Sequence, residues 1–404
     1  VSSIRALDAY PVLSSNGMPT LEVRVTLQSG VTAHAAAPKG QSCGIFERSE
    51  LRDEDGLRVS KALRIFEYTV APAIIGRDSA EHLAVDRMLL EMRHDGKPIP
   101  SNVTLPISIA LALAHSQEVQ QPLEHYIGGI AHKGPEPIPC INMINGGIHG
   151  KNPLVFQEYL IVPQGASSFS QSITWAIDIC EQLKRILSKK GLFSGVGDEG
   201  GFCVNTDDPT APLDLLAEAI HAAKLNSQQV ALGIDCAASG YRTAPGIYEN
   251  FPGIPGQKEA PAVRDLLLKI AQNYELAYIE DPFAEDDVSA WQSFDVEAHI
   301  IGDDLFATNL KRLSTLAHQT AANGIMIKPN QVGTLMHTIE TVQHARLLGY
   351  NTVFAHRSAD TEDTWIASLA LGFQADLIKF GNIVRAERTA KYNTLLRAFN
   401  IRNL

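Results

Sequence analysis

The sequence predicts an α/β protein in which an α+β N-terminal domain precedes a (β/α)8-type barrel. Three observations carry that reading. Four apolar runs, QVALGID ending at Asp235, ELAYIED with Glu280, HIIGDD with Asp303 and NGIMIKPN with Lys328, each have the length of a buried strand and lead into a longer helix-compatible stretch. Their gaps are 280 − 235 = 45, 303 − 280 = 23 and 328 − 303 = 25, and one strand-plus-helix unit of an eight-fold barrel takes roughly 30 residues. The first gap fits two units. The opening third, by contrast, alternates like paired strands with one wet face.

Taken in order, residues 3–37 hold two alternating runs, IRALDAYPVL and TLEVRVTLQSGVTAHAA, broken at Ser15-Asn16-Gly17 and Ser29-Gly30. That pattern predicts antiparallel strands with polar turns. Helical spacing follows at 58–75, at 79–93 and from Ile107, after Pro106, to Glu124. These elements make an α+β N-terminal domain of residues 1–127. Gly128 to Pro139 reads as a linker, and residues 138–404 as the barrel domain. Pro252-Gly253-Ile254-Pro255-Gly256 reads as a surface loop.

Composition narrows the function classes. At 404 residues, two domains are the natural expectation. A net charge of −11 argues against a nucleic-acid or anionic-membrane surface. The five cysteines are scattered without a CxxC pair, the usage of a reducing compartment. With no visible secretory leader and no apolar run near 20 residues, a cytoplasmic protein is expected.

Residues just past barrel strand ends share one mouth. Asp235, Glu280 and Asp303 meeting there would repel unless a cation neutralised them, so they read as a hard-metal site with Lys328 beside it. A lone Asp at a strand end is more often a cap or turn residue; three in register with a lysine favour a site. Gly195-Val196-Gly197-Asp198-Glu199-Gly200 fits G-x-G-x-x-G, but two acids sit in the loop and no helix pattern begins before about Pro212, so a dinucleotide site is not expected.

An ordered series of segments over nearly the whole chain resembles the enolase family. It comprises INMINGGIHGKNPLVFQEYLIVPQGASSF (141–169), VGDEGGF (196–202), LGIDCAAS, YIEDPFAEDD, IGDDLFATN, IKPNQVGT (327–334), AHRSADTED (355–363) and IKFGNIVRAERTAKYNTLLR (378–397). The resemblance implies an enolase-like fold and an Mg²⁺-dependent lyase dehydrating 2-phosphoglycerate to phosphoenolpyruvate. It implies Asp235, Glu280 and Asp303 as ligands of one Mg²⁺, and Ser42 as ligand of a second that arrives with substrate. Lys328 would be the base that removes the α-proton, and Glu199, partnered by Glu158, the acid. Substrate would be held by His149, His356, Arg357, Ser358 and Lys379, with Gln157 behind them. The implied partner is a small phosphorylated carboxylate, with no nucleic acid or membrane, and the implied assembly is a homodimer or larger homo-oligomer.

Departures from the family pattern cluster at the lid. Ser-Gly-Ala-Ser-Thr-Gly is here Lys39-Gly40-Gln41-Ser42-Cys43-Gly44, and a nearby histidine is Phe46. Ser-Gly-Glu after His-Arg is here Ser358-Ala359-Asp360, and the usual N-terminal Asp-Ser-Arg-Gly-Asn-Pro-Thr is Ser14 to Thr20. These changes admit a second reading, a paralogue acting on a related phospho- or phosphono-carboxylate, similar to a carboxyphosphonoenolpyruvate synthase. A non-catalytic protein on the same fold is a third, opposed by the intact acidic set. If Lys39 and Gln41 face the ligand the paralogue gains; if they face away, ordinary enolase chemistry does.

Overall fold

The computed structural model describes residues 2–41, 44–129, 134–152 and 155–402. Ser42 and Cys43 lie outside the described residues. Strands β1 (Ile4–Leu13), β2 (Pro19–Leu27) and β3 (Thr32–Ala36) form one antiparallel sheet in that order. Gly17, at φ 78°, lets the chain reverse between β1 and β2. Alternation then sends Leu21, Val23, Val25 and Leu27 fully inside, while Arg24 meets solvent.

The inner face of this sheet is covered by the helix Ser101–Glu118, of whose 18 residues 15 are buried. A helix so enclosed must be covered on both sides. Its second side meets the barrel through small polar groups: Thr104 Oγ1 donates to the Gly333 carbonyl at 2.7 Å, and Ser108 Oγ accepts from Leu335 N at 2.8 Å. The expected start after Pro106 is therefore six residues late and the expected end at Glu124 too far on. A proline in the second turn removes one intrahelical bond, and burial on both sides outweighs it; Leu123–Gly128 is a separate helix.

A buried carboxylate pins the two domains. Asp86 is fully buried, and its Oδ2 accepts from Ser108 Oγ at 2.8 Å and Met336 N at 2.9 Å. Burial pushes its pKa up to about 7. A carboxyl raised on folding contributes stability that is full below about pH 4 and lost as pH climbs through 7. Asp86→Asn should therefore gain on the parent by something on the order of 4 kcal/mol between pH 4 and pH 8. Urea midpoints at the two pH values read this directly, and a pH-independent gap between the proteins would refute it.

The barrel has eight strands, β4 (Ile141–Asn145), β5 (Glu158–Val162), β6 (Ala231–Asp235), β7 (Tyr278–Glu280), β8 (His299–Gly302), β9 (Gly324–Ile327), β10 (Asn351–Ala355) and β11 (Leu377–Lys379). Each pairs with the next. β11 closes the ring on Ile138 and Pro139, just ahead of β4, and Cys140 N donates to Ile378 O at 2.8 Å. Leu160, Tyr278, Ile301, Met326, Val353 and Leu377 belong to the cluster that fills the interior. β5 is antiparallel to both neighbours. It therefore brings its first residue, Glu158, to the mouth where the other strands bring their last.

Two expectations need correcting. The 45-residue gap before Glu280 holds one α-helix (Ala260–Tyr274), a short 3-10 helix (Ala238–Tyr241) and a three-stranded meander (Arg242–Ala244, Ile247–Phe251, Ile254–Glu259), not two barrel units. Pro252 and Gly253 turn one of its hairpins, and Ile254 to Gly256 are strand rather than loop, because Phe251 pairs with Ile254. No helix among the described residues is long and apolar enough to cross a membrane.

Candidate active site

Parallel register sets Asp235 directly opposite Glu280, and Asp303 follows the end of β8 alongside. All three are buried. Asp235 Oδ2 and Glu280 Oε2 converge on Lys379 Nζ, at 3.0 and 2.7 Å, and Glu158 Oε2 lies 2.8 Å from the same nitrogen. Tyr278 donates to Glu280 at 2.6 Å, Gln157 to Asp235 at 3.2 Å. Asp303 holds Lys328 Nζ on one oxygen and Gln331 Nε2, at 3.0 Å, on the other. Burial and the charge of Asp235 lift the Glu280 pKa to about 7. Burial works to lower Lys328, but Asp303 outweighs it and holds the ammonium above its usual range.

Three anionic oxygen donors on neighbouring strand ends fit a hard divalent cation by chemistry and placement. Their neutralising partners are two lysines, and each carboxylate has turned onto one of them. The trio consequently is not among the groups whose donor atoms lie within 4.8 Å of one another, which among the described residues are Asp281/Asp303/Asp304, His149/Glu158/Glu199 and Glu22/His34/Asp363. Asp281 accepts the backbone N–H groups of Asp303 (3.0 Å) and Asp304 (2.8 Å), so it shapes the turn that presents Asp303.

Across the mouth stand the two glutamates. Glu199 sits in a tight turn between the short strands Phe193–Val196 and Phe202–Val204, with no helix after it, which disposes of the dinucleotide motif. Glu199 Oε2 accepts from Asn142 at 3.0 Å and lies 3.5 Å from His149 Nδ1; its Oε1 lies 3.4 Å from His356 Nε2. Arg388 donates to His356 Nδ1 at 2.6 Å, so that nitrogen accepts and Nε2 carries the hydrogen facing Glu199. Burial and Arg388 drive the His356 pKa down to about 3, keeping the ring neutral. Burial and the charge of Glu199 push Glu158 well above the carboxylate range, whereas Glu199, despite burial, is held low by the imidazoles beside it. The two carboxylates are thus pushed in opposite directions, Glu158 toward holding a proton and Glu199 toward losing one.

Arg357 lines the same cavity. Its plane is fixed by Glu47, which takes NH1 at 3.1 Å and NH2 at 3.2 Å, and by Asn330 at 3.2 Å. Ser358 Oγ accepts from Gln41 N at 2.8 Å. All of His149, Gln157, Glu158, Glu199, Asp235, Lys328, His356, Arg357, Ser358 and Lys379 border one cavity of about 20 Å³; Glu280 and Asp303 adjoin it through the lysines. Neither nitrogen of buried His149 has a hydrogen-bond partner among the described residues. Ser42 lies outside them.

Sequence reasoning passed over Glu47, Asn142, Asp281 and Arg388. Arg388 is fully buried and donates to the carbonyls of Arg357 (2.7 Å) and Ser358 (2.6 Å) as well as to His356. It therefore fixes the backbone of three site residues. Arg388→Met should cost roughly 3–5 kcal/mol of unfolding free energy, the scale of breaking a buried ionic network. Urea unfolding that loses under 1 kcal/mol would count against this role. Phe46, the departure from the family histidine, carries the Arg312 guanidinium 3.4 Å above its ring, a cation–π contact.

Comparison with family models places this geometry. Residues 4–127 match the model described as the enolase N-terminal domain, and residues 135–401 match the enolase C-terminal TIM barrel domain. Fold and family match together define a lyase of the enolase superfamily, with acidic groups that fit a metal ion. More narrowly, with nearly its whole length matched, the chain belongs to the enolase family.

Proposed function

We propose that the protein dehydrates 2-phosphoglycerate to phosphoenolpyruvate. The observation that carries this reading is where the lid substitutions point. Of Lys39, Gly40 and Gln41, only Gly40 borders the cavity. Lys39 is engaged in a backbone bridge with Ala359, and the Gln41 side chain turns to Asp198. The paralogue reading needs both side chains toward the ligand.

Asp235, Glu280 and Asp303 would hold one Mg²⁺, which supplies positive charge against the dianionic enolate. A second, arriving with substrate, is expected at Ser42. Lys328, beside Asp303 at the end of β9, would take the C2 proton as general base in its neutral form. Lys379 would meet the substrate carboxylate. Arg357 grips the phosphate in the plane that Glu47 sets, with Ser358 and His149 beside it. The C3 hydroxyl leaves as water with a proton from the Glu158/Glu199 pair, and the C2–H electrons become the new double bond. The pair is better described as one acid than as two.

The test is ultraviolet absorbance of the conjugated product when the purified protein meets 2-phosphoglycerate and Mg²⁺. Robust turnover is expected. Silence, with Mg²⁺ binding intact by calorimetry, would hand the site to another substrate.

A further inference from the structure

Pro38 to Gln41 form a strap across the anion end of the cavity. Its backbone is stitched to the segment after Arg357: Lys39 N donates to Ala359 O at 3.0 Å, Ala359 N to Lys39 O at 2.9 Å, and Gln41 N to Ser358 Oγ at 2.8 Å. Gly40 thereby forms cavity wall. The far end of the strap is tied differently. Gln41 Nε2 donates to Asp198 Oδ2 at 2.9 Å, joining residues 157 apart in the chain. Asp198 is the residue before Glu199, in a turn that Arg385 braces by donating to Gly197 O at 2.8 Å. One side-chain bond thus connects the wall over the phosphate end to the loop bearing a carboxylate of the acid pair. A small residue at position 41 could not reach across.

We propose that Gln41 is a positioning residue: its amide fastens the strap to the Asp198–Glu199 loop, keeping Ser358 Oγ and the Gly40 wall in place for the substrate phosphate. Gln41 touches no substrate itself. It acts through Ser358 on one side and Asp198 on the other. The inference rests on the proposed reaction for its kinetic consequence, though not for its structural one.

Two measurements test it. Without substrate, hydrogen exchange at the Lys39 and Gln41 amides should speed up about 3- to 10-fold in Gln41→Ala, the scale of one hydrogen bond to a charged acceptor in a wet setting. With substrate, Gln41→Ala should raise KM for 2-phosphoglycerate by a similar factor and change kcat less than about two-fold. A merely structural loss would instead lower kcat through the active fraction and leave KM alone.

The swap of donor and acceptor is the decisive arm. Gln41→Glu alone sets two carboxylates face to face and should raise KM beyond the alanine variant. The double variant Gln41→Glu/Asp198→Asn restores a hydrogen bond with its direction reversed, and KM should return to within about three-fold of the parent. Single effects that simply multiply in the double variant would overturn the proposal, as would a Gln41→Ala protein with unchanged exchange. If the parent itself fails to turn over 2-phosphoglycerate, the proposed reaction is what has failed, and the exchange arm still decides the fastening.

Discussion

Lys328→Ala is expected to lower kcat for 2-phosphoglycerate by roughly 10²- to 10⁴-fold, the contribution of a positioned general base. The residue follows directly after β9, so the barrel wall rather than a loop sets its position. Its nitrogen rests on Asp303 at the border of the site cavity. Removing the amine should leave the barrel core intact, since Ile325, Met326 and Ile327 before it have fully buried side chains of their own. The loss should appear first in the exchange of the C2 proton of 2-phosphoglycerate with deuterated solvent, the partial reaction that needs the base but not the acid. Persistent exchange in the variant would transfer the role of base to another group. A loss of exchange together with a loss of Mg²⁺ binding would mean that Lys328 serves Asp303 more than the substrate.

Glu280→Gln should be the second most damaging change. Its carboxylate is fully enclosed and shares Lys379 with Asp235, while Tyr278 supports it from behind. The amide keeps the size and loses the charge. Loss of an outer partner of a metal ligand alone costs 10- to 100-fold in affinity, so neutralising a ligand should weaken Mg²⁺ binding by at least about 100-fold. Turnover should fall by about 10³-fold, because a dianionic enolate relies on several kcal/mol of metal stabilisation. Calorimetric Mg²⁺ titration of the full chain gives the first number and the absorbance assay the second. Unchanged Mg²⁺ affinity would remove Glu280 from the proposed metal site.

Much of this arrangement was legible in the chain, for physical reasons that differ by residue. Asp235, Glu280, Asp303 and Lys328 announce themselves because each ends a fully buried strand, where an uncompensated charge has no structural excuse. Glu158 sits inside FQEYLIV, where it looks like an interior strand residue; only the reversal of β5 turns it to the mouth. Arg388 could not be found by periodicity, because a buried arginine in an amphipathic helix looks like any polar residue of the outer face. Glu47 and Asp281 stand beside more conspicuous neighbours, and their importance depends on contacts with residues 310 and 22 positions away. The meander before Glu280 was misread because a 45-residue gap measures length and not content. The start of the Ser101–Glu118 helix was misplaced because a proline was given more weight than burial.

The closure of the ring at Ile138–Cys140 has a consequence for synthesis. The strand that completes the barrel is its last, and its partner lies 377 − 138 = 239 residues earlier. The three strands of the N-terminal domain pair among themselves within residues 4–36, whereas the barrel ring must wait for β11. Until Leu377 arrives, the edge at Ile138 has no mate, and an unpaired edge is an invitation to foreign strands. A nascent chain halted at about residue 370 should therefore present an open, sticky sheet. The arrival of β11 converts that liability into a site.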